Sequence, residues 1–417
     1  MSLPNYTQAV IKKCSIDNVD ISLHVRQLYV SSSIFTPYIT AKLSIVDVSM
    51  IQDALYEPGL PVSIAYTGGD SSIVREYNLV TMANMGGAKE VNNRAGKTEI
   101  IAISRCYFDM QNEHSSYHQN IPTSEVFRKL HNELVPGSNI NITKTRGLIA
   151  DIEPFHLRGI RLGRAINLVR NRMTDEKYKS SAYLYYADQN SDYHCVPAEQ
   201  LFDTASGPRY TQKVAGISFL KEQDTLAYNI ISMKRGSTPS GSGSDDATTY
   251  KNLQRQRGGA TNEGWDWASG TYTAPSSKSY KLSSTKTPGS PGDNIMTSRG
   301  ADAAAGTVNH NFMIDSNQKS SADFESDVAN KNIISALMMQ GSTLINVPLE
   351  GGLQSYVGKG CQLDIPSDIG DGDRNKSLYG GQHLVIAQGE YIFQDNNGTM
   401  GIAAIQASSG GKQGSLV

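Results

Sequence analysis

His114 and His118 lie four residues apart, a spacing at which two imidazoles on one helix face can share a metal. No Glu follows the first His, as a zinc-protease helix requires. The text Asn112-Glu-His-Ser-Ser-Tyr-His-Gln-Asn120 reads as a loop, so no metal is expected there. Ala95-Gly96-Lys97-Thr98 ends like a phosphate-binding loop, but the required first glycine falls at Val91. Thr98 leads into a strand and not a helix, so a hairpin turn is the expectation. Asp371-Gly-Asp373-Arg-Asn375 opens like a calcium loop. Lys376 stands where the turn needs Gly, and Gln382 where a bidentate Glu is needed. His194 adjoins Cys195, yet neighbours on a strand point to opposite faces. There is no Gly-x-Ser-x-Gly elbow, and no Gly-x-Gly-x-x-Gly turn opens a helix. Arg158, Arg161, Arg164, Arg170 and Arg172 could hold phosphate or an acidic partner, but a solvated helix face explains them more simply. Catalytic, cofactor-binding and metal-binding residues are therefore expected to number none.

Composition points the same way. The 417 residues suggest about two to four domains. Lys and Arg total 38 against 40 Asp and Glu, a net charge of −2 that gives no whole-chain attraction to nucleic acid or an anionic membrane. Charged residues are 19% and glycines number 38, which suits a loop-rich, β-rich body. Cys14, Cys106, Cys195 and Cys361 are scattered too widely for a metal knuckle or redox motif. Four reduced, unpaired thiols in a chain made in the cytoplasm are the expectation. No run approaches the ~20 apolar residues of a membrane span, and the opening Met1-Ser-Leu-Pro-Asn5 gives no sign of a secretory signal.

The periodicity divides the chain into modules. Residues 1–112 alternate apolar and polar, as in Val19, Ile21, Leu23 and Val25 or Ile39, Ala41, Leu43 and Ile45, with Gly- and Asn-rich turns between runs. They read as a first β-barrel. Residues 113–206 read as an α+β module. Val126, Phe127, Leu130 and Leu134 mark one helix, and Leu162, Ala165, Ile166 and Val169 a second. Ala182–Ala187 and Tyr193–Val196 form a hairpin. Residues 207–235 and 307–408 read as a second, split β-barrel, with a helix around Ala329–Leu337. Between them, 236–306 is a polar insertion whose only Leu, Ile, Val or Phe residues are Leu253, Leu282 and Ile295. It nonetheless holds both tryptophans, Trp265 and Trp267, which are candidates for docking on a neighbouring subunit or domain. Residues 409–417 read as a flexible tail. The fold class is α+β, mainly β: two tube-protein-like barrels enclosing a small α+β module.

In this order the residues resemble a family. Ile16-Asp-Asn-Val-Asp-Ile-Ser-Leu23 followed by Thr36-Pro-Tyr-Ile-Thr-Ala-Lys-Leu-Ser-Ile-Val-Asp47 resembles the first barrel of baseplate central hub proteins of contractile-tailed bacteriophages, relatives of the VgrG hub of type VI secretion. Pro58-Gly59-Leu-Pro-Val-Ser-Ile64 resembles the strand entry that follows. Ile160–Val169 and Tyr183-Leu-Tyr-Tyr186 resemble the middle module. Tyr356–Ile365 and Tyr379–Val385 resemble closing strands of the second barrel. Gly389-Glu-Tyr-Ile392 departs from the pattern, since relatives often carry a His there.

The resemblance implies a structural role without catalysis or cofactor. Family hubs are homotrimers in which three copies of two barrels form a pseudo-sixfold ring. The implied partners are the tail tube, the central spike, the tape-measure protein and the baseplate wedge proteins. The implied place is the virion tail baseplate, assembled in the host cytoplasm, with a channel that passes DNA without sequence-specific grip. Two alternatives stand beside it. One is a receptor- or carbohydrate-binding tail protein; the other, less favoured, is a tail-associated peptidoglycan hydrolase.

Overall fold

A computed structural model describes residues 8–47, 57–69, 71–86, 96–119, 121–143, 155–171, 173, 183–202, 207–212, 227–235, 260–266, 271–278, 309–315, 342–364, 381–395 and 398–408. The first stretch yields β1 (Ala9–Ile16), β2 (Val19–Asp20), β3 (Val25–Ser33), β4 (Thr40–Asp47), β5 (Pro61–Gly68), β6 (Val74–Gly86) and β7 (Gly96–Ile103). The middle yields α1 (Cys106–Asp109), β8 (Glu113–His118), α2 (Thr123–Leu134), β9 (Ile140–Ile142), β10 (Phe155–Arg161), α3 (Leu162–Asn171), β11 (Tyr183–Ala187), β12 (Tyr193–Pro197) and α4 (Ala198–Phe202). The remainder yields β13 (Arg209–Thr211), β14 (Ala227–Asn229), β15 (Ser232–Arg235), β16 (Ala260–Asp266), β17 (Thr271–Lys278), β18 (Asn309–Asp315), β19 (Ser342–Pro348), α5 (Leu349–Leu353), β20 (Gly360–Asp364), β21 (Gly381–Asp395) and β22 (Gly398–Ser408).

Alternation of apolar and polar residues sets which face of each strand is buried. Leu28 and Val30 of β3, Ala41 and Leu43 of β4, and Ile100 and Ala102 of β7 point into one core, while Tyr29, Lys42 and Ile101 point the other way. Asp17 and Asn18 both take positive φ (47° and 67°), the backbone of a tight hairpin turn between β1 and β2. The run Val19–Val25 is not one strand. Asp20 accepts bonds from the Ser22 amide (2.9 Å) and hydroxyl (2.6 Å), a local turn that ends pairing and leaves Leu23 83% exposed.

The mainly-β, α+β class is as expected, but the two β modules are not separate closed barrels. They share one 14-stranded sheet in the order β14-β13-β20-β21-β3-β4-β7-β6-β5-β1-β2, with β22, β19 and β15 branching from β21. The cause is β21. Its 15 residues reach roughly 50 Å, and one edge pairs first with β20 and then, past a bulge between Val385 and Ala387, with β3 of the first module. Its other edge pairs with β22. Among the described residues no ladder closes this sheet, and just before β1 an isolated bridge joins Gln8 to Met400 of β22.

The middle module carries two amphipathic helices whose buried residues fall where their period placed them: Val126, Phe127, Leu130 and Leu134 in α2, and Leu162, Ala165, Ile166 and Val169 in α3. The β11–β12 hairpin forms as expected, with β9 added in parallel. The supposed loop around His114 is the strand β8, paired with β10. Within the polar insertion β16 pairs with β17, and it also pairs with β18, from the stretch read as second barrel, in a sheet that shares no strand with the main one. The expected helix at Ala329–Leu337, residues 213–220 of the second β module and the calcium-loop-like Asp371–Asn375 lie outside the described residues.

Candidate functional site

The sheet face turned away from the core runs unbroken across both β modules. Directly opposed residues form a single row over seven strands: Pro348, Ile402, Tyr391, Tyr29, Lys42, Ile101 and Ala83. The row carries one charge, Lys42, and Glu99 neutralises it at 2.7 Å. At the seam between the modules, Tyr29 stacks on Tyr391 (ring centroids 4.3 Å apart), and Phe393 lies parallel to Tyr391 at 6.3 Å. Gly389 makes this possible, since a Cβ there would stand 2.6 Å from Cε2 of Tyr29. Met400 opposes Phe393 and is 41% exposed, so the seam is apolar as well as uncharged.

Behind that seam, on the core side, lies a buried polar junction between all three modules. Arg75 of β6 and Glu390 of β21 are 1% and 2% exposed, with Nε and Oε1 3.6 Å apart. The pair is not left bare. Arg75 Nη2 donates to the carbonyls of Leu353 (2.8 Å), the last residue of α5, and Ser355 (3.0 Å), just beyond it, and Nη1 donates to Asn190 Oδ1 (3.2 Å) in the β11–β12 turn. Its guanidinium sits 4.4 Å from the Tyr356 ring centroid. Glu390 accepts from the Tyr66 hydroxyl and from Gln388 Nε2 (2.7 Å). Gln388 also donates to Gly352 O (2.8 Å), Gln189 Nε2 donates to Gln388 Oε1 (3.1 Å), and the Val357 amide donates to Gln189 Oε1 (2.8 Å).

The electrostatics of the junction follow from burial. Desolvation opposes the charge on Arg75, but Glu390, with Tyr77 and Tyr356, outweighs it and holds the guanidinium above its ordinary pKa. Desolvation, then Glu390, pushes the Tyr66 phenol well above the tyrosine range, so its proton stays on the donor side. A buried charge held by this many bonds fixes geometry more than it adds stability. Close glycine packing completes the join: α5 lies so near β22 that a Cβ on Gly352 would collide with that of Ala403.

The middle module has its own buried polar group. His131 is fully buried between Tyr185 and Tyr193. Ser138 Oγ donates to Val135 O (2.9 Å), so it accepts from His131 Nε2–H (2.8 Å), and Nδ1 accepts from the Tyr185 hydroxyl (2.9 Å). Burial pushes this imidazole down to about 4. All four cysteines are buried, and none is in a disulfide. Desolvation raises Cys14 and Cys361 to about 12 and Cys106 to about 11, which makes them inert thiols.

The sequence candidates fare differently. Trp265 lies on β16, while Trp267 falls outside the described residues, as does Arg172. Gly96, Lys97 and Thr98 already belong to β7, so this text is strand where a hairpin turn was expected, and as expected no helix follows Thr98. His194 meets Asp188 (3.2 Å) while Cys195 is buried on the opposite side of β12. Arg161 and Arg164 are exposed, whereas burial lowers the pKa of Arg170, so the arginines do not form one uniform solvated face. Among the described residues no group of three or more His, Cys, Asp or Glu is placed to hold a metal, and no helix is long and apolar enough to cross a membrane. The sequence did not signal the Arg75–Glu390 junction, because its members are 315 positions apart (390 − 75).

No protein-family model matches this chain, and no curated protein matches its sequence. Solved structures do match in shape. The tail protein from Neisseria meningitidis MC58 superimposes with a TM-score of 0.53 at 8% identity, covering 96% of each chain. The 43 kDa tail protein of prophage MuSo2 from Shewanella oneidensis superimposes with a TM-score of 0.51 at 8% identity, covering 98% of this chain and 99% of that one. These likenesses lie in the fold: this chain has the fold of these two tail proteins.

Proposed function

We propose that this chain is the structural hub of a contractile phage tail. Three copies form a pseudo-sixfold ring that joins the hexameric tail tube to the trimeric central spike and lines a channel for DNA and tape-measure protein. The observation that carries the reading is the fold shared with two tail proteins, one of them from a prophage, over nearly the full length of each chain. The sheet face described above supports it. A surface past which a polyanion must move should not hold it, and the seven-strand row offers one cation, already paired. The buried junction supports it too, since a ring under load needs its modules held at fixed angles.

In this reading 1–112 and the split 207–235 with 307–408 are the two tube-like units, 113–206 is the middle module, and 236–306 is an arm. Trp265 and Trp267 on that arm dock on a neighbouring hub subunit or an adjoining wedge protein. Deleting 240–305 then weakens assembly, and unchanged assembly removes that role. The stacked Tyr29, Tyr391 and Phe393 favour one second reading, a platform for a carbohydrate receptor. Loss of glycan binding on Tyr391→Ala with the oligomer intact would select it. Light scattering of the purified chain, alone and with its candidate spike, tests the hub. A mass of three chains in either run supports it, and a monomer in both overturns it.

A further inference from the structure

Strand β8 and helix α2 bring together five residues that the hub role does not use. His114, Ser116 and His118 alternate along β8 and so share one face of the strand. Glu133 and Lys129, four apart on α2, come to the same face. Glu133 Oε1 lies 2.9 Å from His114 Nδ1, and His114 Nε2 lies 2.6 Å from Ser116 Oγ. An ionised carboxylate only accepts, so Nδ1 carries the imidazole proton and Nε2 presents its lone pair to the serine hydroxyl. Ser116 Oγ then accepts from His118 Nε2–H at 2.9 Å. His114 is 6% exposed and is held at both nitrogens, while Ser116 is only half-buried and open to a small reagent.

We infer that Ser116 is a base-activated nucleophile toward short acyl esters, with His114 as its general base and Glu133 as the residue that orients and charges that base. The arrangement of nucleophile, base and orienting carboxylate is the one such chemistry requires. Ser116 Oγ attacks the ester carbonyl carbon as its proton passes to His114 Nε2. The C–Oγ bond forms, the carbon–alkoxide bond breaks, and the departing alkoxide takes the proton from Nε2. Water, deprotonated by the same nitrogen, then releases the acyl group as a carboxylic acid and restores the serine. Glu133 stabilises the imidazolium in both halves, and the Lys129 ammonium, close enough to act on His118, adds positive potential beside the site. Desolvation, with Lys129 and His114 nearby, lowers the pKa of His118, so this ring remains a neutral single donor to Oγ.

The test is covalent trapping on the full chain. The protein is incubated with 4-nitrophenyl acetate, and separately with an alkyl fluorophosphonate, and adducts are mapped by peptide mass spectrometry. Ser115, whose hydroxyl accepts from the Gly159 amide at 2.9 Å, is the internal control. Ser116 is expected to label at least about tenfold faster than Ser115, and Glu133→Gln and His114→Gln are each expected to slow it by about tenfold or more. Glu133 is half exposed, so its variant keeps the fold, and circular dichroism checks this. An unlabelled Ser116, or labelling at an unchanged rate in folded Glu133→Gln, overturns the inference. Either result stands apart from the oligomer measurement.

Discussion

Replacing Arg75 with Met keeps most of its volume and removes its charge and donors. The carbonyls of Leu353 and Ser355 then lose the donor at 2.8 and 3.0 Å, and Asn190 loses its contact. Each buried acceptor left unpaired costs about 1–3 kcal/mol. Glu390, 2% exposed, keeps Tyr66 and Gln388 but loses its counter-charge. Removing one member of a buried pair costs about 3–5 kcal/mol in all. These contributions overlap, so about 4 kcal/mol is expected for Arg75→Met. Glu390→Gln retains an acceptor for Tyr66 and strands a cation that still has two carbonyls, so about 3 kcal/mol is expected. The double variant removes both charges together and should cost about 5 kcal/mol, a coupling of about 2 kcal/mol. Urea unfolding followed by far-ultraviolet circular dichroism measures all three. Hydrogen exchange at the Val357 amide, bonded to Gln189 across the junction, reports whether the modules loosen locally. Costs that simply add, or an Arg75→Met cost below about 1 kcal/mol, would show that the pair does not tie the modules together.

Two further outcomes follow from the same structure. His131 titrates at about 4 in the folded chain against 6.5 unfolded. The unfolded chain therefore binds the extra proton between those values, and stability falls as pH drops from 6.5 toward 4, by about 3 kcal/mol in full. His131→Phe should flatten that part of the stability profile, and an unchanged slope would assign it elsewhere. Gly352→Ala should destabilise by about 2 kcal/mol or more through its collision with Ala403, and Ala403→Gly should recover most of that loss in thermal melts. A double variant no better than the single one would place the strain elsewhere.

Legibility differed between levels for definite reasons. The α2 and α3 faces were readable because a helix buries residues set by its own 3.6-residue period, whatever it packs against. The β-rich text was readable because strand alternation is equally local. His114–His118 was misread as a loop because Glu113–His118 is mostly polar on both faces. What makes it a strand is its partner β10, about 40 residues later. The Glu133–His114–Ser116 contact escaped for the same reason, since a strand and a helix must pack before the three residues meet.

The sequence by itself determined the amphipathic helices, most of the alternating strands and their order, all properties of short windows. It also made the family resemblance visible, through the order of those elements. Only tertiary structure decided that the two β modules share one sheet, because pairing β21 with β3 joins segments more than 350 positions apart. Only tertiary structure placed Arg75 against Glu390, because a buried charge finds its partner through space. Local propensity fixes what a segment becomes. Burial and hydrogen-bond satisfaction across the whole chain fix what it touches.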